Sequence, residues 1–263
     1  MFNFCSLYSG SSGNCLFVET PTTKILIDSG VSCKKIETAL SSIDVNPASI
    51  NAILVTHEHS DHVKGLSTVS KKFNIPVFAT KETFENMPNQ TLKLDEKNIN
   101  TFKIEDNFVI GDIKISPFGI PHDAANPCGF NITNGNKTIS IATDIGHMNK
   151  SILKKLEESS FVMLESNYDS NVLKCCTYPY YLKSRIASST GHLSNDMAAK
   201  TISYLCKNGL KTAMLGHLSK ESNLPELAYQ TALNELVAEN FDENNFTLNI
   251  ANRDCPSKII NII

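Results

Sequence analysis

Apolar positions along this chain fall in short runs bounded by Gly, Pro, Asn, Asp and Ser, a pattern that favours many strands over a few long helices. The first half predicts strands over 2–8, 15–19, 24–28, 53–55 and 76–80, with a turn-rich loop, Ser9-Gly10-Ser11-Ser12-Gly13-Asn14, joining the first two. Shorter strands are expected around 93–94 and over 101–104, 108–110 and 113–118. Amphipathic spacing predicts helices over 33–42, 63–73 and 81–87. The second half repeats the style. Strands at 129–133 and 138–142 flank an Asn134-Gly135 hairpin signal. Further strands fall at 161–165, 212–215 and 246–250, and helices at 149–157, 194–207 and 225–239. Ser194 is placed to cap the helix it opens, and a polar arm rich in Cys and Tyr spans 166–189. Two strand-rich halves, each with its own helices, predict two sheets packed face to face with helices outside.

At 263 residues and 41% hydrophobic, the chain has ample material for a core, and with no linker or low-complexity tract it reads as one domain over 1–263. It has no apolar run of membrane-spanning length, and the start Met1-Phe2-Asn3-Phe4 lacks the basic region of a signal peptide. A net charge of -3 excludes general attraction to nucleic acid, so any such contact must be a local patch. The eight cysteines show no Cys-x-x-Cys spacing; Cys5, Cys15, Cys33, Cys128 and Cys206 lie in or near apolar segments. They read as reduced core thiols of a cytoplasmic protein, with vicinal Cys175-Cys176 the exception.

Chemistry concentrates in Thr56-His57-Glu58-His59-Ser60-Asp61-His62, directly after the run Ile53-Leu54-Val55. Imidazole and carboxylate together suit zinc, manganese or iron. In extended backbone His57 and His59 point the same way, while Asp61 and His62 turn toward a second centre. Glu58 and Ser60 should face away. His122, Asp144 and His217 each sit just past the end of another apolar strand, and loops at strand ends converge on one edge of a sheet. His147, three residues beyond Asp144, reads as a helix-entry residue or, alternatively, as a support for a ligand.

The ordered series Asp28, His57-x-His59-x-Asp61-His62, His122, Asp144, His217 resembles the five-motif pattern of the metallo-β-lactamase fold superfamily, over essentially the whole chain. Glu165-Ser166-Asn167-Tyr168-Asp169 and Gly191-His192-Leu193-Ser194-Asn195 resemble its nucleic-acid-processing members. With the N-terminal Ser/Gly loop, the similarity is greatest to the YycJ/WalJ-type branch. The resemblance implies an α+β fold, an αββα sandwich, and a 5′→3′ exonuclease acting on DNA. It implies two divalent metals (Zn2+, Mn2+ or Fe2+), one held by His57, His59 and His122, the other by Asp61, His62 and His217, with Asp144 between them. Hydroxide generated at the metals would attack phosphorus, with Asp61 and His192 as catalytic residues and Asp28 fixing an imidazole tautomer.

For substrate, Arg185 within Tyr178-Pro179-Tyr180-Tyr181-Leu182-Lys183-Ser184-Arg185 is the foremost nucleic-acid contact, because Arg binds phosphate and aromatics stack bases. Ser11, Ser12 and Asn14 could hold a terminal phosphate. Between Asp144 and His217 there is no room for a second inserted domain, and between His122 and Asp144 only for a hairpin. Large RNA-cleaving relatives and those with a tRNA-gripping arm therefore fit less well. Rival readings are a phosphodiesterase for cyclic or small nucleotides, an RNA-processing nuclease, a thioester or lactam hydrolase of the same fold, and a non-enzymatic binding protein.

Overall fold

A computed structural model describes residues 1–88, 93–241 and 246–262. One sheet begins with β1 (Asn3–Tyr8), β2 (Cys15–Glu19), β3 (Lys24–Ile27), β4 (Ala52–Leu54), β5 (Val77–Thr80) and β6 (Ile99–Phe102). The other holds β7 (Phe108–Ile110), β8 (Ile113–Gly119), β9 (Cys128–Asn134), β10 (Lys137–Ala142), β11 (Phe161–Glu165), β12 (Thr212–Gly216) and β13 (Thr247–Ile250). β14 (Ile260–Asn261) returns to the first sheet beside β1, giving the order β14-β1-β2-β3-β4-β5-β6 against β13-β12-β11-β10-β9-β8-β7. Each sheet has the same plan. An antiparallel meander (β1–β3; β7–β10) leads into parallel strands (β3–β6; β10–β13). The parallel strands are the ones whose connections carry helices, as their crossovers require.

The helices are α1 (Cys33–Ser42), α2 (Ser60–Val63), α3 (Leu66–Phe73), α4 (Lys81–Asn86), α5 (Lys150–Leu156), α6 (Ser170–Cys175), α7 (Tyr180–Ile186), α8 (Asn195–Lys207) and α9 (Pro225–Ala238). Side-chain alternation explains the layering. Ile25 and Ile27 of β3 face the other sheet, where Ile113, Phe130, Ile141 and Met163 meet them, while Leu26 packs under α1 and α3. Likewise Met163 of β11 points between the sheets, and Val162 and Leu164 point toward α5, α8 and α9. Strands buried on both faces carry apolar residues at every position, so the fold is an αββα sandwich. Phe4 and Phe161, with ring centroids 4.6 Å apart, join the two sheets, and truncating either to Ala costs about 3–5 kcal/mol. Among the described residues no helix is long and apolar enough to cross a membrane.

Several boundaries differ from the sequence reading. Residues 93–94 form no strand: Leu94 is buried alone, a 3-10 turn (Glu96–Asn98) follows, and β6 supplies the pairing to β5. The helix expected over 63–73 breaks at Gly65, whose N–H donates to Ser29 O and where a Cβ would collide with Val31 O. The hairpin turn is Gly135-Asn136, one residue later than expected, because Asn134 still pairs with Lys137. The arm over 166–189, given no secondary structure from the sequence, folds as α6 and α7. β14, only two residues long, carries no readable pattern of its own.

Candidate metal centre

Three of the site residues follow strands in left-handed backbone: Asp28 (φ 63°) after β3, Asp144 (φ 60°) after β10 and His217 (φ 54°) after β12. That region is unfavourable for non-glycine residues and tolerated best by Asp, Asn and His. The sharp reversal turns each side chain inward across its strand end. Such strain, repeated at one edge of both sheets, marks a functional site.

The ligand atoms of His57, His59 and His122 all lie within 4.8 Å of one another, as do those of Asp61, His62 and His217, and of His57, His62 and Asp144. Asp144 sits between the two histidine sets. Its Oδ1 is 3.7 Å from His122 Nε2 and 3.5 Å from His217 Nδ1, and its Oδ2 is 3.3 Å from His62 Nε2. In four of the rings one nitrogen is anchored and the other aimed inward. His62 Nδ1 is 2.7 Å from Asp28 Oδ2, His122 Nδ1 donates to Gly191 O at 3.0 Å, His217 Nδ1 is 2.8 Å from Glu165 Oε1, and His57 Nδ1 is 3.0 Å from Thr56 Oγ1. Outer partners of this kind orient imidazoles toward metal.

The donor set fits divalent cations. His57 Nε2, His217 Nε2 and Asp144 Oδ2 are buried with no hydrogen-bond partner, an arrangement costly in the absence of a ligand. Charge points the same way. Burial among other imidazoles pushes His57 well below its ordinary pKa, and burial also lowers His122, so both are neutral donors. Burial disfavours charge on His62 too, but Asp144, Asp28 and Asp61 outweigh it and raise the ring to about 9. His217 is raised by Asp144, Asp61 and Glu165 against the same opposition from burial. Burial works against ionised Asp61 and Glu165, yet the adjoining histidines hold both well below the usual carboxylate range. A cation placed there takes over the role of those protons.

The remaining candidates divide. His192 lies beside the cluster, its Nδ1 2.8 Å from Glu165 Oε1 and 3.7 Å from Asp144 Oδ1. Asn14 is buried; its Oδ1 accepts from Gly10 N, and its Nδ2 lies 3.1 Å from His62 Nε2 and 3.3 Å from Asp61 O. Ser11 and Ser12 are exposed at the tip of the same turn. Arg185 forms a two-pronged pair with Asp123, Nε to Oδ2 at 2.6 Å and Nη2 to Oδ1 at 3.1 Å, and Asp123 in turn is 3.4 Å from His122 Nε2. Glu58 accepts from Ala125 N, and exposed His147 is 2.9 Å from Ser189 O, both apart from the metal-ligand groupings.

Glu165 is the residue whose role the sequence reading missed. Fully buried, it takes both His192 and His217 on Oε1, and the N–H groups of Ile145 and Leu193 on Oε2. The available signal was a carboxylate ending the buried run Phe161–Leu164, as Asp28 ends β3. Thr56, whose N–H and hydroxyl both bond Asp28, was likewise unassigned.

The family described as "Beta-lactamase superfamily domain" matches residues 23–218. The chain is 37% identical over 238 residues to Exodeoxyribonuclease WalJ of Streptococcus pneumoniae serotype 2 (strain D39 / NCTC 7466), covering 90% of this chain and 88% of that protein. It is 34% identical over 260 residues to Exodeoxyribonuclease YycJ of Bacillus anthracis, covering 98% of each. Zn(2+)-bound PqqB from Methylobacterium extorquens superposes with a TM-score of 0.72 at 12% identity over 97% of this chain and 99% of its own, a likeness of fold.

Proposed function

The chain belongs to the β-lactamase superfamily, and from that premise we propose that it is a metal-dependent 5′→3′ exonuclease acting on DNA. The observation that carries the reading is the shared Glu165 oxygen, which ties His192, a ring beside the seven proposed ligands, to the ligand candidate His217. A hydrolase needing only metals has no use for that second ring. A phosphodiesterase needs a proton donor for the leaving oxygen.

Two ions are the proposal, one on His57, His59 and His122, the other on Asp61, His62 and His217, with Asp144 shared. Zinc, manganese and iron all suit imidazole and carboxylate. When bound, such ions lower the pKa of water to about 7 and neutralise charge building on phosphate oxygens. The protein's own groups do the rest. Asp28, Glu165, Gly191 O and Thr56 hold the rings so that little reorganisation is needed at reaction. Asp61, kept ionised, orients as well as binds. His192, its Nδ1 fixed on Glu165, presents Nε2 for hydrogen bonding to phosphate or for protonating the leaving oxygen. Arg185, anchored by Asp123 beside His122, and Ser11, Ser12 and Asn14 across the cluster are the proposed substrate contacts. We assign all of 1–263 to this one domain, β1 and β14 being paired, and place it in the cytoplasm, where eight free cysteines are at home.

The test is incubation of 5′-phosphorylated single- and double-stranded DNA, beside matched RNA, with Mn2+ and Zn2+ supplied separately. Mononucleotides released progressively from the 5′ end of DNA are expected. Cleavage of small or cyclic phosphodiesters with no action on any polymer overturns the reading.

A further inference from the structure

Beside the centre, α6 and α7 enclose a groove of about 560 Å³. Tyr168, Leu173, Tyr180 and Ala187 give it apolar walls, and Lys174 and Lys183 contribute cations. Lys183 Nζ donates to Lys174 O at 2.7 Å, joining the two helices across it. Tyr180 is 85% exposed, an unusual state for a large aromatic at the mouth of a cavity. The volume falls within the range of small-ligand sites and exceeds what a bare base needs.

The helix that walls the groove adjoins the loop carrying His192. α7 ends against the site loop: His192 N donates to Ile186 O, and Gly191 packs so closely on Arg185 O and Ile186 O that a Cβ there would collide with both. Gly191 O in turn holds His122. Tyr168 lies three residues beyond Glu165 and bridges to Ser194. Charge selects the occupant. The groove lining carries Lys174 and Lys183 and no Asp or Glu, in a protein whose net charge is -3, while Arg185 alongside is paired with Asp123. An aromatic wall with cations at its edge is how proteins stack bases while tracking a phosphate backbone.

We infer that this groove is a nucleobase subsite, holding a base of single-stranded DNA against Tyr180 while Lys174 and Lys183 face the adjoining phosphates. The inference rests on the nuclease reading above and adds where the strand lies.

The chain has no Trp, so Tyr180→Trp is a solitary reporter. With metal chelated, a thymidine decamer should quench its fluorescence and an abasic decamer should not. Tyr180→Ala should raise KM for single-stranded DNA roughly tenfold with kcat unchanged, Tyr180→Phe should restore it, and Tyr204→Ala, on α8 and outside the groove lining, should leave it alone. Hydrolysis of bis(p-nitrophenyl) phosphate should be equal in the wild type and in all of these variants. A Trp unmoved by a decamer that anisotropy shows to be bound, or an unaltered KM in Tyr180→Ala, overturns the subsite while leaving the nuclease standing. A wild-type protein that hydrolyses the small diester but neither binds nor cuts DNA overturns both.

Discussion

Asp28 Oδ2 lies 2.7 Å from His62 Nδ1, a contact that holds a fully buried imidazole with its other nitrogen turned toward Asp144. The same carboxylate takes the N–H and hydroxyl of Thr56, so it braces the ligand loop from the strand beside it. Asp28→Asn keeps a residue type that tolerates φ 63° but loses the charge. Metal affinity should fall about 10- to 100-fold, read by competition with a chromogenic chelator, with the melting profile of the chelated protein nearly unchanged. Wild-type affinity in the variant would remove Asp28 from the site.

His192 and Glu165 make the sharpest separation between binding and chemistry. His192→Ala should keep its metal content and lose turnover by roughly 100- to 10,000-fold, the range for a positioned proton donor. Glu165→Gln should lower both, because the same oxygen positions His217. Elemental analysis beside single-turnover rates decides. Loss of metal from His192→Ala would make it a ligand.

The proposal makes Asp144 the carboxylate shared by the two ions, so its charge above all should matter. Asp144→Asn suits φ 60° and should lose most bound metal and nearly all activity, and Asp144→Ala should add destabilisation of the turn. Retention of metal and rate in the Asn variant would defeat the bridging assignment.

The pH response of the chelated protein follows from His62. Its pKa stands at about 9 in the fold against 6.5 ordinarily. A folded-state pKa above the unfolded one gives stability that is full below pH 6.5 and is lost as pH rises through about 9. His217 acts in the same direction, while His57, lowered, destabilises only as pH drops below 6.5. Thermal melts in chelator should therefore decline across about pH 6.5 to 9, and the metal-loaded protein should not follow, since cations replace the protons. His62→Gln should flatten the decline; a rise over the same window in chelated wild type would contradict it.

What could be read in advance was local. The candidate ligands stand out because they gather just past the ends of apolar runs, and α8 because Ser194 caps it, its side chain accepting from Met197 N. What escaped was set by distant partners. Asp123 and Arg185 are 62 positions apart, β14 gains its identity only by pairing with β1, and α3 starts late because Gly65 must fit under Val31. Glu165 is a strand end in the sequence, and only the fold brings two histidines to one of its oxygens.

Gly30 tests whether the second ligand set is separable from the first. Its N–H donates to Asn14 O at 2.8 Å, and Asp61 O accepts from Asn14 N at 2.8 Å, so the Gly10–Asn14 loop, the β3 end and the ligand loop are laced through this point. A Cβ on Gly30 would run into Asp61 O and Asn14 N. Its backbone is not left-handed, so the difficulty is space alone, and Asp61 must move outward to relieve it. Gly30→Ala should cost about 1–3 kcal/mol of stability and displace Asp61 with His62, leaving His57, His59 and His122 in place. Native mass spectrometry should then show one ion where two are expected of the wild type, with turnover reduced in proportion to the lost second ion. Two ions and full turnover in a stably folded Gly30→Ala protein would mean that the ligand loop tolerates the shift and that Asp61 is not confined by this packing.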